Sequence, residues 1–98
     1  MKELIDQLDK LLENRIRLGI MSLLVVNDMV DFLTLKKKLG QTDGNLASHI
    51  SKLEKAEYLT VEKKFVGKKT RTDYKVTPKG KTAFENHLTA LEKIIRGG

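Results

Sequence analysis

The sequence predicts a mainly α-helical fold that carries one small β-hairpin, built around a helix-turn-helix with an additional helix at each end. Three observations lead there. Residues 39–54, Leu-Gly-Gln-Thr-Asp-Gly-Asn-Leu-Ala-Ser-His-Ile-Ser-Lys-Leu-Glu, read as the end of a short helix, a glycine turn and a second helix with an apolar stripe. Residues 59–66 and 71–76 alternate apolar and polar side chains on either side of Gly67, as the arms of a hairpin do. Charge gathers behind the second helix. Residues 62–81 hold eight basic residues against only Glu62 and Asp73, a surplus equal to the formal net charge of the whole chain, +6.

From the N-terminus, Leu4, Ile5, Leu8, Leu11 and Leu12 recur at helical spacing and predict an amphipathic helix over 2–13. Asn14 ends that helix or caps the next. Residues 15–26 are apolar on most sides and predict the central buried helix, which Asn27-Asp28 terminates by turn chemistry. Val30-Asp31-Phe32 alternates as a short strand. Thr34 then serves as N-cap of a short helix over 35–39, and Gly40 stands where a left-handed residue closes it. Thr42 caps the second helix, Asp43 suits the positive end of its dipole, and Leu46, Ile50 and Leu53 form its stripe as far as Ala56. Gly67-Lys68-Lys69 supplies the hairpin bend. Thr77-Pro78 opens the last helix, with Phe84, Leu88, Leu91 and Ile95 on one face.

The composition narrows the function classes. A chain of 98 residues with 40% hydrophobic and 33% charged residues is a single ordinary domain, and its five aromatics leave the core to Leu, Ile and Val. The absence of cysteine excludes disulfides and thiolate metal sites. The longest apolar run, residues 18–26, is broken by Gly19 and Ser22 and is far short of the roughly 20 residues that a membrane-spanning helix needs. Glu3, Asp6 and Asp9 interrupt any signal-peptide core. The expectation is a cytoplasmic protein without membrane contact. A basic balance, with pI near 9.6, points to a polyanionic partner.

The order helix, helix, short strand, helix, helix, hairpin, helix is that of a winged-helix domain. It is read here as a single winged-helix DNA-binding domain over 1–98: an N-terminal helix (1–13), a helix-turn-helix (34–56), a wing (59–76) and a C-terminal helix (78–96). Residues 39–59, and above all Leu-Gly-x-Thr-x-x-x-Leu-x-x-His-Ile-x-x-Leu-Glu within them, resemble the recognition-helix segment of bacterial winged-helix transcriptional regulators of the MarR/ArsR type. Residues 67–80 are similar to that family's wing and the start of its last helix, and the likeness spans 14–91. The resemblance implies a dimeric DNA-binding repressor or activator.

Opposite the stripe of the second helix lie Gly44, Asn45, Ser48, Ser51, Lys52 and Lys55. Asn pairs bidentately with adenine, Ser bonds bases or phosphates, and Lys reaches guanine or phosphate. Asn45 and Ser48 sit near the helix N-terminus, the part that approaches base edges, together with Thr42, Asp43 and the small Gly44. A solvated polar face looks the same on paper, and the basic hairpin beside it tips the reading toward DNA. His49 lies on the flank, where the wheel favours packing or capping; the resemblance places a histidine here beside DNA. His87 is read as a surface or interface residue. Lys63, Lys64, Lys68, Lys69 and Arg71 near the hairpin tip are read as straddling phosphates or entering the minor groove, more than the protection of a strand edge requires. Arg71 is the one suited to a bidentate contact.

Leu4, Ile5, Leu8, Leu11 and Leu12, with Leu88, Leu91 and Ile95, exceed what one small core uses and are assigned to a homodimer interface. No serine has a plausible His-acid partner set, no glycine loop cradles phosphate, and two distant histidines do not make a metal site, so neither an enzyme nor a cofactor is expected. The expected partners are double-stranded DNA and a second copy. A small-molecule effector has no residue signature. Two other readings are a protein-interaction module that docks an acidic surface, and a non-specific architectural DNA-binding protein.

Overall fold

A computed structural model describes residues 1–97. In chain order it contains α1 (Lys2–Asp6), a single 3-10 turn (Lys10–Glu13), α2 (Arg15–Val26), β1 (Val30–Asp31), α3 (Phe32–Leu39), α4 (Asp43–Lys55), β2 (Leu59–Val66), β3 (Lys69–Val76) and α5 (Pro78–Ile95). The three strands form an antiparallel sheet in the order β1-β3-β2. β1 adds Val30 opposite Tyr74, and β2 pairs with β3 from Leu59 opposite Val76 to Val66 opposite Lys69. α2 is the central helix, packed against α3, α4, α5 and β3.

Two expected boundaries move, each for a local reason. The helix expected over 2–13 is broken at residues 7–9. Asp9 is extended, and its carboxylate accepts the Leu11 amide at 2.9 Å, which caps the 3-10 turn and stops α1 from continuing. The short helix expected at 35–39 begins at Phe32, immediately after a two-residue β1. Thr34 therefore lies inside the first turn and is not its N-cap; its hydroxyl donates to the Asp31 carboxylate. That bond, the largest effect, holds the Asp31 carboxyl below the usual carboxylate range. The ionised form is favoured in the fold, so the bond stabilises at neutral pH and its contribution is lost as pH falls through that lowered value.

Other joints follow the sequence chemistry. Asn14 caps α2 by accepting from Ile16 and Arg17 amides at 2.9 and 3.0 Å. Gly40 (φ 59°) closes α3 as the Gln41 amide reaches back to the Lys36 carbonyl at 3.1 Å. Thr42 caps α4 through the Asn45 amide at 3.2 Å. α4 ends in the same geometry with Glu57 at φ 63°, and the Tyr58 amide bonds the Leu53 carbonyl at 3.0 Å. Gly67, left-handed at φ 66°, is the first of two turn residues, so Lys69 belongs to β3 and not to the bend.

The core comprises Leu12, Ile20, Met21, Leu24, Leu35, Leu46, Leu53 and Leu59, all fully buried, joined by Ile50, Val30, Tyr74 and Phe84. Leu12 is thus a core residue of its own chain. The interface role expected for it is corrected, because the 3-10 turn points it inward beside α2. The surface role expected for His87 is corrected as well. It is buried in α5, where Nδ1 accepts the Asp9 amide at 2.9 Å.

Asp9 also accepts the Tyr58 hydroxyl, so one carboxylate ties the N-terminal segment to the start of β2. Burial, reinforced by that bond, pushes the Tyr58 hydroxyl up to about 12. At the far side of Tyr58, α5 packs so closely that a Cβ at Gly80 would stand 2.1 Å from the Tyr58 carbonyl oxygen. Thr77 seals this joint: its hydroxyl accepts the Gly80 amide at 2.9 Å and donates to the Glu57 carbonyl at 2.6 Å. Backbone cannot yield as a flexible side chain does. Gly80→Ala is therefore expected to lower stability by about 1–3 kcal/mol, read as a reduced urea midpoint at unchanged slope; an unshifted midpoint would show that α5 has slack here.

Candidate nucleic-acid interface

α4 is seated by Leu46, Ile50 and Leu53, which face the core and leave the opposite side outward. Three further ties fix its azimuth. Thr42 caps its start, Asp43 pairs with Lys36 of α3 at 2.8 Å, and Arg17 of α2 holds His49 with Nη1 3.1 Å from Nδ1. The outward side presents Gly44, Asn45, Ala47, Ser48, Lys52 and Lys55, with Ser51 half-buried at its edge. This places the expected polar face in the solvent as one surface. Asp43 is exposed but its carboxylate is committed to Lys36, so it serves the α3–α4 joint. Gly44 has ordinary backbone and no atom within 4 Å of a would-be Cβ, so nothing in the fold itself asks for glycine.

The wing follows α4 in the chain, and β2 packs on that helix. Strand alternation divides its cations. Lys63 shares a face with Val61 and Phe65, opposite Thr72, whereas Lys64 and Arg71 pair across the other face. Lys68 occupies the turn and Lys69 starts β3. Lys63, Lys68 and Lys69 are exposed and, among the described residues, make no ion pair.

Lys64 and Arg71 are differently placed. Both converge on Asp73, a buried carboxylate: Arg71 Nε donates to Oδ1 at 2.8 Å, and Lys64 Nζ stands 3.9 Å from Oδ2 and 3.8 Å from Glu62. The hydrogen bond to Asp73 strengthens the hold of Arg71 on its proton. A guanidinium with its Nε donor already engaged keeps only its remaining N–H groups for an outside anion. The bidentate role expected of Arg71 therefore shifts toward bracing the wing, and the unpaired lysines carry its outward field.

His49 is half-buried. Its imidazole is held below the ordinary histidine value first by burial, then by the positive charges of Arg17 and Lys52. Several residues of this surface escape a sequence reading. Ala47 is exposed on the same side of the helix as Gly44 and Ser51 and offers a methyl of the kind that contacts thymine. Lys37 and Lys38 are exposed at the end of α3, beside the turn, and are not among the residues that the sequence reading assigns to DNA. Arg17, from the buried helix, gave no signal at all.

Among the terminal elements, α1 packs on α5. Leu4, Leu8, Leu11 and Leu91 are half-buried there, while Ile5, Leu88 and Ile95 are 50%, 43% and 81% exposed. The two terminal stripes thus cover each other in part and leave an apolar remainder in solvent. Among the described residues, no helix is long and apolar enough to cross a membrane.

Comparison with known proteins agrees with this geometry. The family described as winged helix DNA-binding domain matches residues 16–95. The chain is 35% identical over 87 residues to an uncharacterized protein of Methanocaldococcus jannaschii, covering 89% of this chain and 95% of that one. The structure of a transcriptional regulator homologue from Pyrococcus horikoshii OT3 shares 33% identity at a TM-score of 0.88, covering 99% and 97% of the two chains. A protein described as a proposed MarR-like transcription regulator from Bacillus cereus shares the fold at 18% identity, TM-score 0.71, over 98% of this chain and 71% of that one. Both of these relatives above 30% identity are archaeal, whereas the expectation named a bacterial family. Matched from Ile16 in α2 to Ile95 at the end of α5, the chain belongs to the winged helix DNA-binding domain family.

Proposed function

We propose that this protein is a homodimeric, sequence-specific regulator that works in the cytoplasm; its family and its transcriptional-regulator relative support DNA binding in the regulation of transcription. The observation that carries the reading is one juxtaposition: the outward polar face of α4 and, packed on that helix, a wing whose Lys63, Lys68 and Lys69 make no ion pair among the described residues. α4 enters the major groove and reads bases through Asn45, Ser48 and Lys52, with Thr42, Gly44, His49 and Ser51 at its margins. The wing grips the backbone through Lys63, Lys68 and Lys69, with Lys64 and Arg71 contributing the charge that Asp73 leaves over. The polar character of the α4 face speaks against a protein-docking module, which would present large apolar or aromatic side chains. A fluorescence titration of selected and random duplexes decides between specific and architectural binding: equal affinity for both at moderate salt overturns the claim of specificity.

The two surfaces are expected to behave differently under mutation. Lys68→Glu with Lys69→Glu weakens binding to every duplex alike and flattens the salt dependence by about 0.9 in log–log slope for each phosphate no longer neutralised. Asn45→Ala instead costs about 1–3 kcal/mol of discrimination at one base pair; a uniform loss across sequences would remove Asn45 from base reading.

The exposed remainder at α1 and α5 supplies the contact between copies, with Ile5, Leu88 and Ile95 at its centre and Leu4, Leu8, Leu11 and Leu91 around them. Two recognition helices related by a two-fold axis then meet half-sites about one helical turn apart. Leu88→Glu is expected to convert a dimer to a monomer in sedimentation equilibrium while leaving the helical circular dichroism intact. A wild-type chain that sediments as a monomer at high micromolar concentration refutes the interface.

A further inference from the structure

Arg17 has an unusual position for a cation. It is half-buried at the start of the central helix, and it is absent from the ion pairs among the described residues. Its guanidinium is nevertheless fully directed. Nε donates to the Leu11 carbonyl of the 3-10 turn at 2.7 Å, and Nη1 lies 3.1 Å from His49 Nδ1 on α4. Asn14 fixes its backbone by accepting the Arg17 amide at 3.0 Å.

Arginine donates and never accepts, so the contact requires Nδ1 to be the acceptor and the histidine proton to sit on Nε2. Among the described residues every buried side-chain nitrogen and oxygen has a partner, and Nε2 has none, so Nε2 is not a buried atom. It meets the solvent on the flank of the helix that carries Asn45, Ser48 and Lys52. The charged groups acting on this imidazole are Arg17 from α2 and Lys52 from α4 itself; among the described residues no carboxylate pairs with either.

We propose that Arg17 is a positioning residue for DNA binding: it orients His49 and fixes its tautomer so that the outward Nε2–H donates to a backbone phosphate. The role rests on the α4 reading above, and it assigns Arg17 no DNA contact of its own. A neutral donor has a use here. It registers the helix on the phosphate ridge without adding to the salt-dependent, sequence-independent attraction that the wing supplies. Burial first, and then the Arg17 cation, disfavour protonation of the ring, which keeps the donor neutral. Because the same guanidinium bonds the Leu11 carbonyl, the segment that leads from α1 is mechanically joined to the recognition helix.

The test uses the full chain and a duplex for which wild-type binding has been established, so a failure of DNA binding is seen before any variant is made. His49→Ala should weaken binding about tenfold, the worth of one hydrogen bond to a charged acceptor. Arg17→Gln should leave the salt slope at pH 8 unchanged but introduce a pH dependence, with affinity rising several-fold from pH 8 to pH 6 as the released imidazole takes a proton. Arg17→Gln combined with His49→Ala should bind no worse than His49→Ala alone and should lose that pH dependence. Nitrogen-15 NMR of the unbound wild-type protein should show His49 as the Nε2–H tautomer, a readout that no variant's folding affects. The proposal is overturned if that spectrum shows the Nδ1–H form. It is equally overturned if Arg17→Gln keeps a flat pH profile, or lowers the salt slope by about 0.9 as a direct phosphate contact would.

Discussion

Everything on the functional side of this molecule depends on how α4 is clamped to α2. Leu46, Ile50 and Leu53 enter the same buried cluster as Ile20, Met21 and Leu24, and interiors packed at crystal density do not allow a helix to roll. At roughly 25 cal/mol for each Å² of apolar surface removed from water, each such leucine contributes on the order of 1.5–3 kcal/mol, more than any single surface contact. Burying one face decides the other by geometry. Positions 44, 45, 48 and 52 face outward because 46, 50 and 53 cannot. The Lys36–Asp43 pair and the Arg17–His49 contact refine an orientation that the apolar stripe has already chosen.

Electrostatics then divides labour within the wing. The chain's whole excess of positive charge lies in residues 62–81, but the fold does not present it evenly. Asp73, buried at the centre of the three-stranded sheet, stands in register with Glu62 on one side and Asp31 on the other. Three carboxylates side by side repel one another, and Arg71 and Lys64 offset that repulsion across the adjoining register. A hairpin standing away from the core has few apolar contacts to hold it; Phe65 and Val66 are 81% and 61% exposed. The ion cluster gives its base stiffness. The turn lysines keep the outward field.

A third element binds the ends of the chain to this frame. Asp9 sits where three segments meet: its amide donates to His87 of α5, its carboxylate accepts from Tyr58 ahead of β2, and its other oxygen caps the 3-10 turn. Buried polar groups such as His87 are costly unless paired, and among the described residues none is left without a partner. The junction explains why α1 stops early and why α5 approaches Tyr58 within the reach that only Gly80 permits. It also sets the terminal helices on the domain as a fixed platform, from which Ile5, Leu88 and Ile95 project.

The sequence by itself determined the element order from α2 onward, the caps at Thr42 and Thr77, the left-handed Gly40 and the hairpin about Gly67; for Asn14 it left open whether the residue ends one helix or caps the next. Each of these is a local decision, made by neighbours within a turn of helix or a strand pair. The stripe of α4 and the basic run were legible for the same reason: periodicity and charge are properties of the chain. What only the tertiary structure decided involves partners far apart in sequence. His87 looks like a surface residue until Asp9, 78 positions away, is seen to bond it. Leu12 looks like an interface residue until the 3-10 turn delivers it to the core. Arg17 looks like nothing until α4 brings His49 to it across 32 positions. Side chains disclose their faces through local geometry, whereas their partners are chosen by packing that closes long loops, and no window of sequence contains both halves of such a contact.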